Sequence, residues 1–243
     1  MKHVHLSEIT STNDYATHLL DTESEVVVTA EFQTHGRGRN KHTWFGDDRI
    51  NLYYTYGKKH SGELQYEDLV CYQYVGCLAV LKLLKEVAPQ VTFRLKYPND
   101  VYAKEQGAFK KISGVLVEHT FEGERCSKSL IGIGLNVLQQ NFPIAEGTNA
   151  TSLARLGIEI SPQQLVEPLT NHIKEYLQKS NDEVFTEWSQ NLNIFNKVIT
   201  IVGREGLFFA KNLHKNGQLE LFSIEKQETI LIDNTNSIRY ELE

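Results

Sequence analysis

Residues 91–137, VTFRLKYPNDVYAKEQGAFKKISGVLVEHTFEGERCSKSLIGIGLNV, carry the reading that decides the fold. Three runs in this stretch, 91–103, 110–121 and 128–137, are rich in branched and aromatic residues and predict strands. The first must break at Pro98, which has no N–H to give a ladder. The second and third are expected to join through a turn at Glu122–Glu124. So few helical residues separate the runs that an antiparallel or mixed sheet is predicted.

On the N-terminal side, STNDYATHLL opens with capping residues and then places Tyr15, Ala16, Leu19 and Leu20 at helical spacing, which predicts a helix starting near Thr12. EVVVTAEF and INLYYTYG read as strands. Between the latter and Val91, EDLVCYQYVGCLAVLKLLKEVA is a long helix whose apolar residues cover more than one face, so it belongs deep in the core. On the C-terminal side, 151–193 is predicted helical with breaks at Gly157 and Pro162. From about Asn196 the period changes to alternation, with turn signals at Gly203, Gly206 and Asn216-Gly217, the pattern of a small barrel. The expected class is therefore α+β: a central mixed or antiparallel sheet flanked by helices in a domain of residues 1–194, and a barrel over 195–243 docked on it without a linker.

With 243 residues, 40% of them hydrophobic, the chain can bury one large core and a small satellite. Thirty-one acidic against 25 basic groups give a net charge of −6, which argues against a general binder of nucleic acid or membrane surfaces. An anionic ligand must be met locally. Cys71, Cys77 and Cys126 form no C-x-x-C pair and are odd in number, so neither a disulfide framework nor a zinc knuckle is expected. No signal peptide and no run approaching ~18 apolar residues is present, and a cytoplasmic location is expected. His3 and His5 lie at strand spacing, the remaining histidines form no ligand set, and no protein-held metal is predicted.

The cations gather in HGRGRNKHTW, residues 35–44. Its glycines can expose backbone N–H groups, and Arg37 and Arg39 can make paired bonds to carboxylate or phosphate, with Trp44 available to stack on a base. On its own the loop fits a solvated hairpin equally well. LKYPND fixes Lys96, Asn99 and Asp100 where a strand ends, and it also fits an ordinary turn. KKISGVLVE sets Lys111, a residue type usually solvated at such a position, before an apolar run that contains Gly114. IGIGLNV lacks the third glycine of a dinucleotide fingerprint and continues as a strand. Packing is the expected role of Gly132 and Gly134, and Asn136 is the one polar side chain left to explain.

In this order, STN, GRGR…W, KYPND, KISGVLVE and IGIGLNV make the chain resemble the biotin protein ligases over essentially its whole length. Two departures stand out: Tyr97 replaces the usual tryptophan of K-W-P-N-D, and Lys41 and His42 stand where the loop usually has glycine and arginine. Bifunctional members carry an N-terminal winged-helix DNA-binding domain. Here STN begins at Ser11, and that domain is not expected.

The resemblance implies a class II synthetase-like ligase domain with an SH3-like barrel. It implies activation of biotin by ATP to biotinyl-5'-AMP, then transfer to a lysine of a biotin carboxyl carrier domain. Mg²⁺ would arrive with ATP. Implied biotin contacts are Ser11, Thr12, Asn13, Gln33, Gly36, Arg37, Lys111, Gly114 and Gly134; implied ATP and adenylate contacts are Arg37, Arg39, Trp44, Lys96, Asn99 and Asn136. Lys111, Asp100 and Arg39 are the implied catalytic residues, with Lys111 bridging the biotin carboxylate and the α-phosphate. Neither DNA nor membrane is an implied partner, and homodimerisation is left open. The alternatives are a lipoate protein ligase or a non-catalytic nucleotide-sensing module.

Overall fold

A computed structural model describes residues 1–39, 43–44, 49–142, 149–233 and 238–243. The three runs of 91–137 become four strands: β4 (Phe93–Lys96), β5 (Asp100–Glu105), β6 (Ala108–Glu122) and β7 (Arg125–Asn136), each antiparallel to the next in sequence. The break falls at Tyr97–Pro98, as the proline requires. With β1 (Lys2–Ile9), β2 (Glu25–Gln33) and β3 (Asn51–Lys59) they form one seven-stranded sheet of order β1-β2-β3-β7-β6-β5-β4. Only β1 and β2 run parallel, so the sheet is mixed.

Period-2 alternation in β7 sorts its two faces. Ile131, Ile133 and Leu135 are buried in the main core with α2 (Tyr66–Val87). Gly76 lets that helix close on the sheet, since a Cβ there would lie 2.7 Å from side-chain carbons of both Ile131 and Val115. Gly132 and Gly134 point to the opposite face, where α1 (Thr12–Leu19) and the basic loop pack. There, a Cβ at Gly132 would come within 2.5 Å of Asn13 Oδ1.

The region 151–193, expected to be helical with breaks at Gly157 and Pro162, holds only short 3-10 turns, Ala154–Leu156 and Pro162–Leu165, before its first α-helix. Besides Gly157 and Pro162 it is interrupted after α3 (Val166–Tyr176), and α4 (Asn181–Asn191) starts anew at Ser180. Ser180 Oγ accepts from Glu183 N–H and Glu183 reaches back to Ser180 N–H, a reciprocal cap strong enough to begin a second helix.

The tail forms five antiparallel strands, β8 (Val198–Ile201), β9 (Arg204–Leu213), β10 (Leu219–Ser223), β11 (Thr229–Ile232) and β12 (Ile238–Arg239), in the order β11-β10-β9-β8-β12. Gly203 and Gly217 adopt positive φ at the turns, whereas Gly206, expected at a turn, does so inside β9. This sheet grips the Pro98 turn: Tyr97 N–H donates to Tyr240 Oη and Tyr97 Oη donates to Gly217 C=O, both at 2.8 Å. The hydroxyl of Tyr97 thus ties the Pro98 turn to the C-terminal sheet through a buried bond.

Candidate active site

The site lies on the glycine face of the sheet and grows from its register. Asp100 pairs with Gly114, Gly114 with Gly134 and Gly134 with Tyr53, a row that leaves two bare backbone positions beside one carboxylate. Over these positions lies Trp44. A Cβ at Gly134 would stand 2.2 Å from its Cε2 and one at Gly114 2.9 Å from its Cζ3. The loop carrying Trp44 closes on itself through an Arg37–Thr43 bridge and a bond from Trp44 N–H to Gly36 C=O at 2.9 Å. The two departures at Lys41 and His42 lie outside the described residues.

A bulge brings Lys111 into the same space. Val101 pairs with Ser113 but Tyr102 pairs with Lys111, leaving Ile112 extra in β6 and turning the strand there. Lys111 Nζ lies 2.7 Å from Asp100 Oδ1 and 5.5 Å from the centre of the Trp44 ring. Asn99 ties the turn to β6, donating from Nδ2 to Val115 C=O at 2.8 Å and accepting from Arg39 Nη1 at 3.0 Å. Burial disfavours the charge of Arg39, and Asp100 and Asp233 oppose that effect. Burial likewise lowers the pKa of Lys96, whose ammonium stands over the rings of Tyr102 and Tyr240.

The other end of the site is a polar wall. Ser11 caps α1, and its Oγ accepts from Asp14 N–H. Gln33 Oε1 accepts from both the N–H and the hydroxyl of Thr12, at 2.7 and 3.0 Å, and its Nε2 lies against Gly36. Thr55 Oγ1 donates to Asn13 Oδ1 at 2.6 Å, and Asn13 Nδ2 donates to Glu118 Oε2 at 2.6 Å. Arg37 makes a two-point contact with Asp14, 2.7 Å on each arm, and reaches Glu118 at 3.3 Å. That fork holds the Asp14 carboxyl below its ordinary range, and Asp14 and Glu118 together raise Arg37.

Among the described residues, the implied biotin, adenylate and catalytic residues therefore gather on the glycine face and its edges. Asn136 is at its margin, donating to Thr151 C=O at 3.0 Å. The sequence reading missed Asp14, Thr55 and Glu118. Glu118 had a signal, because it has the parity of Gly114 in an apolar strand and so had to share the glycine face. Among the described residues no group of three or more His, Cys, Asp or Glu is arranged to hold a metal. Chemically, the face offers cations for two anionic groups, bare backbone for close approach and an indole cover.

Residues 6–136 match the biotin/lipoate A/B protein ligase family. The bifunctional ligase/repressor BirA of Escherichia coli is 27% identical over 228 residues, covering 89% of this chain and 68% of that protein. A biotin--[acetyl-CoA-carboxylase] ligase of Mycobacterium tuberculosis is 29% identical over 168 residues, 67% of this chain and 55% of its own. Among solved structures, a biotin protein ligase from Aquifex aeolicus in complex with biotin and ATP superposes with a TM-score of 0.79 at 25% identity, covering 99% of both chains.

Proposed function

The chain belongs to the biotin/lipoate A/B protein ligase family, and we propose that within it this protein is an ATP-dependent biotin protein ligase. The observation that carries the reading is the full-length likeness to a ligase holding biotin and ATP, joined to a face on which Lys111, Asp100 and Trp44 crowd two bare glycines. In the first step a biotin carboxylate oxygen attacks the α-phosphorus of ATP and pyrophosphate leaves. The nucleophile is already ionised at neutral pH, with an ordinary pKa near ~4.3, so no base is needed. The difficulty is holding two anions together, and positioning and positive charge answer it. Lys111 bridges the carboxylate and the α-phosphate, and Arg37 and Arg39 supply further charge.

Ser11, Thr12, Asn13 and Gln33 present the convergent polar groups that a neutral ureido ring requires, while Gly36, Gly114 and Gly134 admit its body. Trp44, Lys96, Asn99 and Asn136 face the nucleotide. In the second step the carrier lysine attacks the acyl carbon of the mixed anhydride, and AMP leaves. That amine arrives protonated, with an ordinary pKa of ~10.4, and Asp100 is its proton partner.

We further take residues 1–194 as the ligase domain, class II synthetase-like in fold, and 195–243 as an SH3-like barrel. Leu192 still bridges to Leu95 of the main sheet, whereas Phe195 bridges to Ala210 of the small one, which supports a boundary between them. The acceptor is a biotin carboxyl carrier domain, and three buried free cysteines suit a reducing cytoplasm. No helix of the described residues is long and apolar enough to cross a membrane. The test is incorporation of labelled biotin into a carrier domain, with labelled lipoate in parallel. Biotin transfer that needs ATP is expected. Lys111→Ala should lose biotin-dependent ATP–pyrophosphate exchange while keeping the fold by circular dichroism. Lipoate transfer alone, or nucleotide binding without turnover, would refute the reading.

A further inference from the structure

A short segment, residues 149–153, runs beside Lys111 and Asn136. Lys111 N–H donates to Asn149 C=O at 2.8 Å and Thr151 N–H donates to Lys111 C=O at 2.9 Å. Asn136 Nδ2 donates to Thr151 C=O at 3.0 Å, and Leu153 N–H returns to Asn136 C=O at 3.2 Å. The backbone of the lysine and the side chain of the asparagine therefore take their places from the same few residues.

The segment is in turn held by a charge pair outside the site. Arg155 directs Nε and Nη2 onto Glu105 Oε1 at 3.1 and 2.9 Å, and Lys110 Nζ stands 2.9 Å from Glu105 Oε2. Glu105 is only 7% exposed and closes β5 beside the Gln106–Gly107 turn, on the same hairpin that carries Lys111. Burial opposes its ionisation, yet Lys110 and Arg155 hold its pKa below the ordinary value. A buried carboxylate is kept in proteins only when it is paired, and this one is paired to both flanks of Lys111: to Lys110 before it in sequence and, through Arg155, to the segment across from it.

We propose that Glu105 and Arg155 are positioning residues of the ligase reaction, fixing the 149–155 segment so that Lys111 is aimed at the reacting carboxylate and α-phosphate. They act through Lys111 and not on the reactants. A guanidinium fork on one carboxylate defines direction as well as distance, which apolar packing of the same segment does not. The inference rests on the ligase reading through the role of Lys111.

The experiment measures single-turnover adenylate formation at saturating biotin and ATP for the full chain, Arg155→Gln, Glu105→Gln and Arg155→Lys, each also combined with Lys111→Gln. Misplacing a reacting group by about 1 Å costs up to about 100-fold, so at least about a tenfold loss of rate is expected in the first two variants. Biotin KM should move far less than the rate, since Lys111 is one biotin contact among several and the wall of Ser11, Thr12, Asn13 and Gln33 is untouched. Transfer from preformed adenylate, which does not use Lys111, should be unchanged, and Arg155→Lys should recover part of the loss. With Lys111→Gln already present, neither variant should slow the reaction further, because groups that act as a unit are not additive. A loss that persists undiminished with Lys111→Gln, or wild-type rates in both Gln variants, overturns the proposal. Should the Gln variants fail to fold, Arg155→Lys must show a smaller loss confined to the rate of adenylate formation, or the proposal fails. An unmodified protein without biotin-dependent adenylate formation would instead overturn the ligase reading itself.

Discussion

Replacing Gly134 by alanine tests whether the indole of Trp44 is held by bare backbone. The added Cβ would lie 2.2 Å from Trp44 Cε2 and 2.6 Å from Cζ2 and Nε1. Carbon contacts are comfortable only near 3.5–4.0 Å, so the ring must retreat by more than about an ångström and lose its seat. A tryptophan buries about 150–250 Å², and Trp44 is half-buried; losing about 100 Å² of contact at ~25 cal/mol per Å² costs about 2.5 kcal/mol. That is about a 70-fold shift toward the undocked loop. Fluorescence reads it directly, because the chain has two tryptophans and the other, Trp188, is 1% exposed in the core. Gly134→Ala should move the Trp44 emission to the red and slow adenylate formation by a comparable factor. Gly114→Ala, whose Cβ meets the ring edge at 2.9 Å and Asp100 and Lys111 at 3.3 Å, asks neighbours to give by tenths and should lose less than about tenfold. Unchanged emission and rate in Gly134→Ala, or a larger effect at Gly114, would refute the reasoning.

Arg39→Gly removes a largely enclosed guanidinium bonded to Asn99. With about 2–5 kcal/mol at stake, mainly in the off-rate, the variant should shed biotinyl-adenylate at least tens of times faster and label bystander lysines; an unchanged dissociation rate counts against it. Asp100→Asn should still form some adenylate but transfer it slowly, and normal single-turnover transfer from preformed adenylate removes Asp100 from that role. His119, which shares Ser129 Oγ with His60, has its pKa pushed down to about 4 by burial, against 6.5 for the free group. The unfolded chain therefore takes up this proton first, so stability is present above pH 6.5 and falls as the pH drops toward 4. Between pH 8 and 5 the loss from this group is about 2 kcal/mol, and urea unfolding of His119→Gln should show a correspondingly flatter pH dependence.

What was legible in the sequence was local. Pro98 broke its strand by covalent necessity, the apolar wrap of residues 66–87 announced a buried helix, and the Glu122–Glu124 turn joined β6 to β7 where expected. β1 was not read as a strand: KHVHLSEI has no strong apolar run, and its parallel pairing with β2 is made by residues some 24 positions away. The gathering of the site residues was legible only through their order as a set of motifs, because spacing alone left each motif with an ordinary reading. Asp14 and Thr55 escaped for the same reason, each being unremarkable in its own element and defined by partners across the sheet. The fork of Arg37 on Asp14 could not be read at all, since it depends on how loop and helix meet.

That fork bears on how an acidic protein handles anions. Three cations of the site already have partners within the chain: Arg37 has Asp14 and Glu118, Lys111 has Asp100, and Arg39 has Asn99 with Asp233 nearby. A cluster of unpaired cations in a half-buried face would repel itself, and pairing removes that penalty before substrate arrives. Substrate anions must then exchange with internal partners instead of filling an open electropositive hole. The exchange is uneven. Arg37 is held on two arms at 2.7 Å and gives up both bonds to turn away, whereas Lys111 can rotate its ammonium from Asp100 toward a phosphate without losing its backbone place. When Lys111 does so, Asp100 loses its 2.7 Å ion pair and keeps only the charges of Arg39 and Lys96 in its surroundings. On the proposed reading an arriving lysine ammonium takes that place, and Asp100 is the acceptor of the proton it must lose. On the proposed reading, then, Lys111 serves the first step and Asp100 the second, and the ion pair between them is what the arriving anions must open.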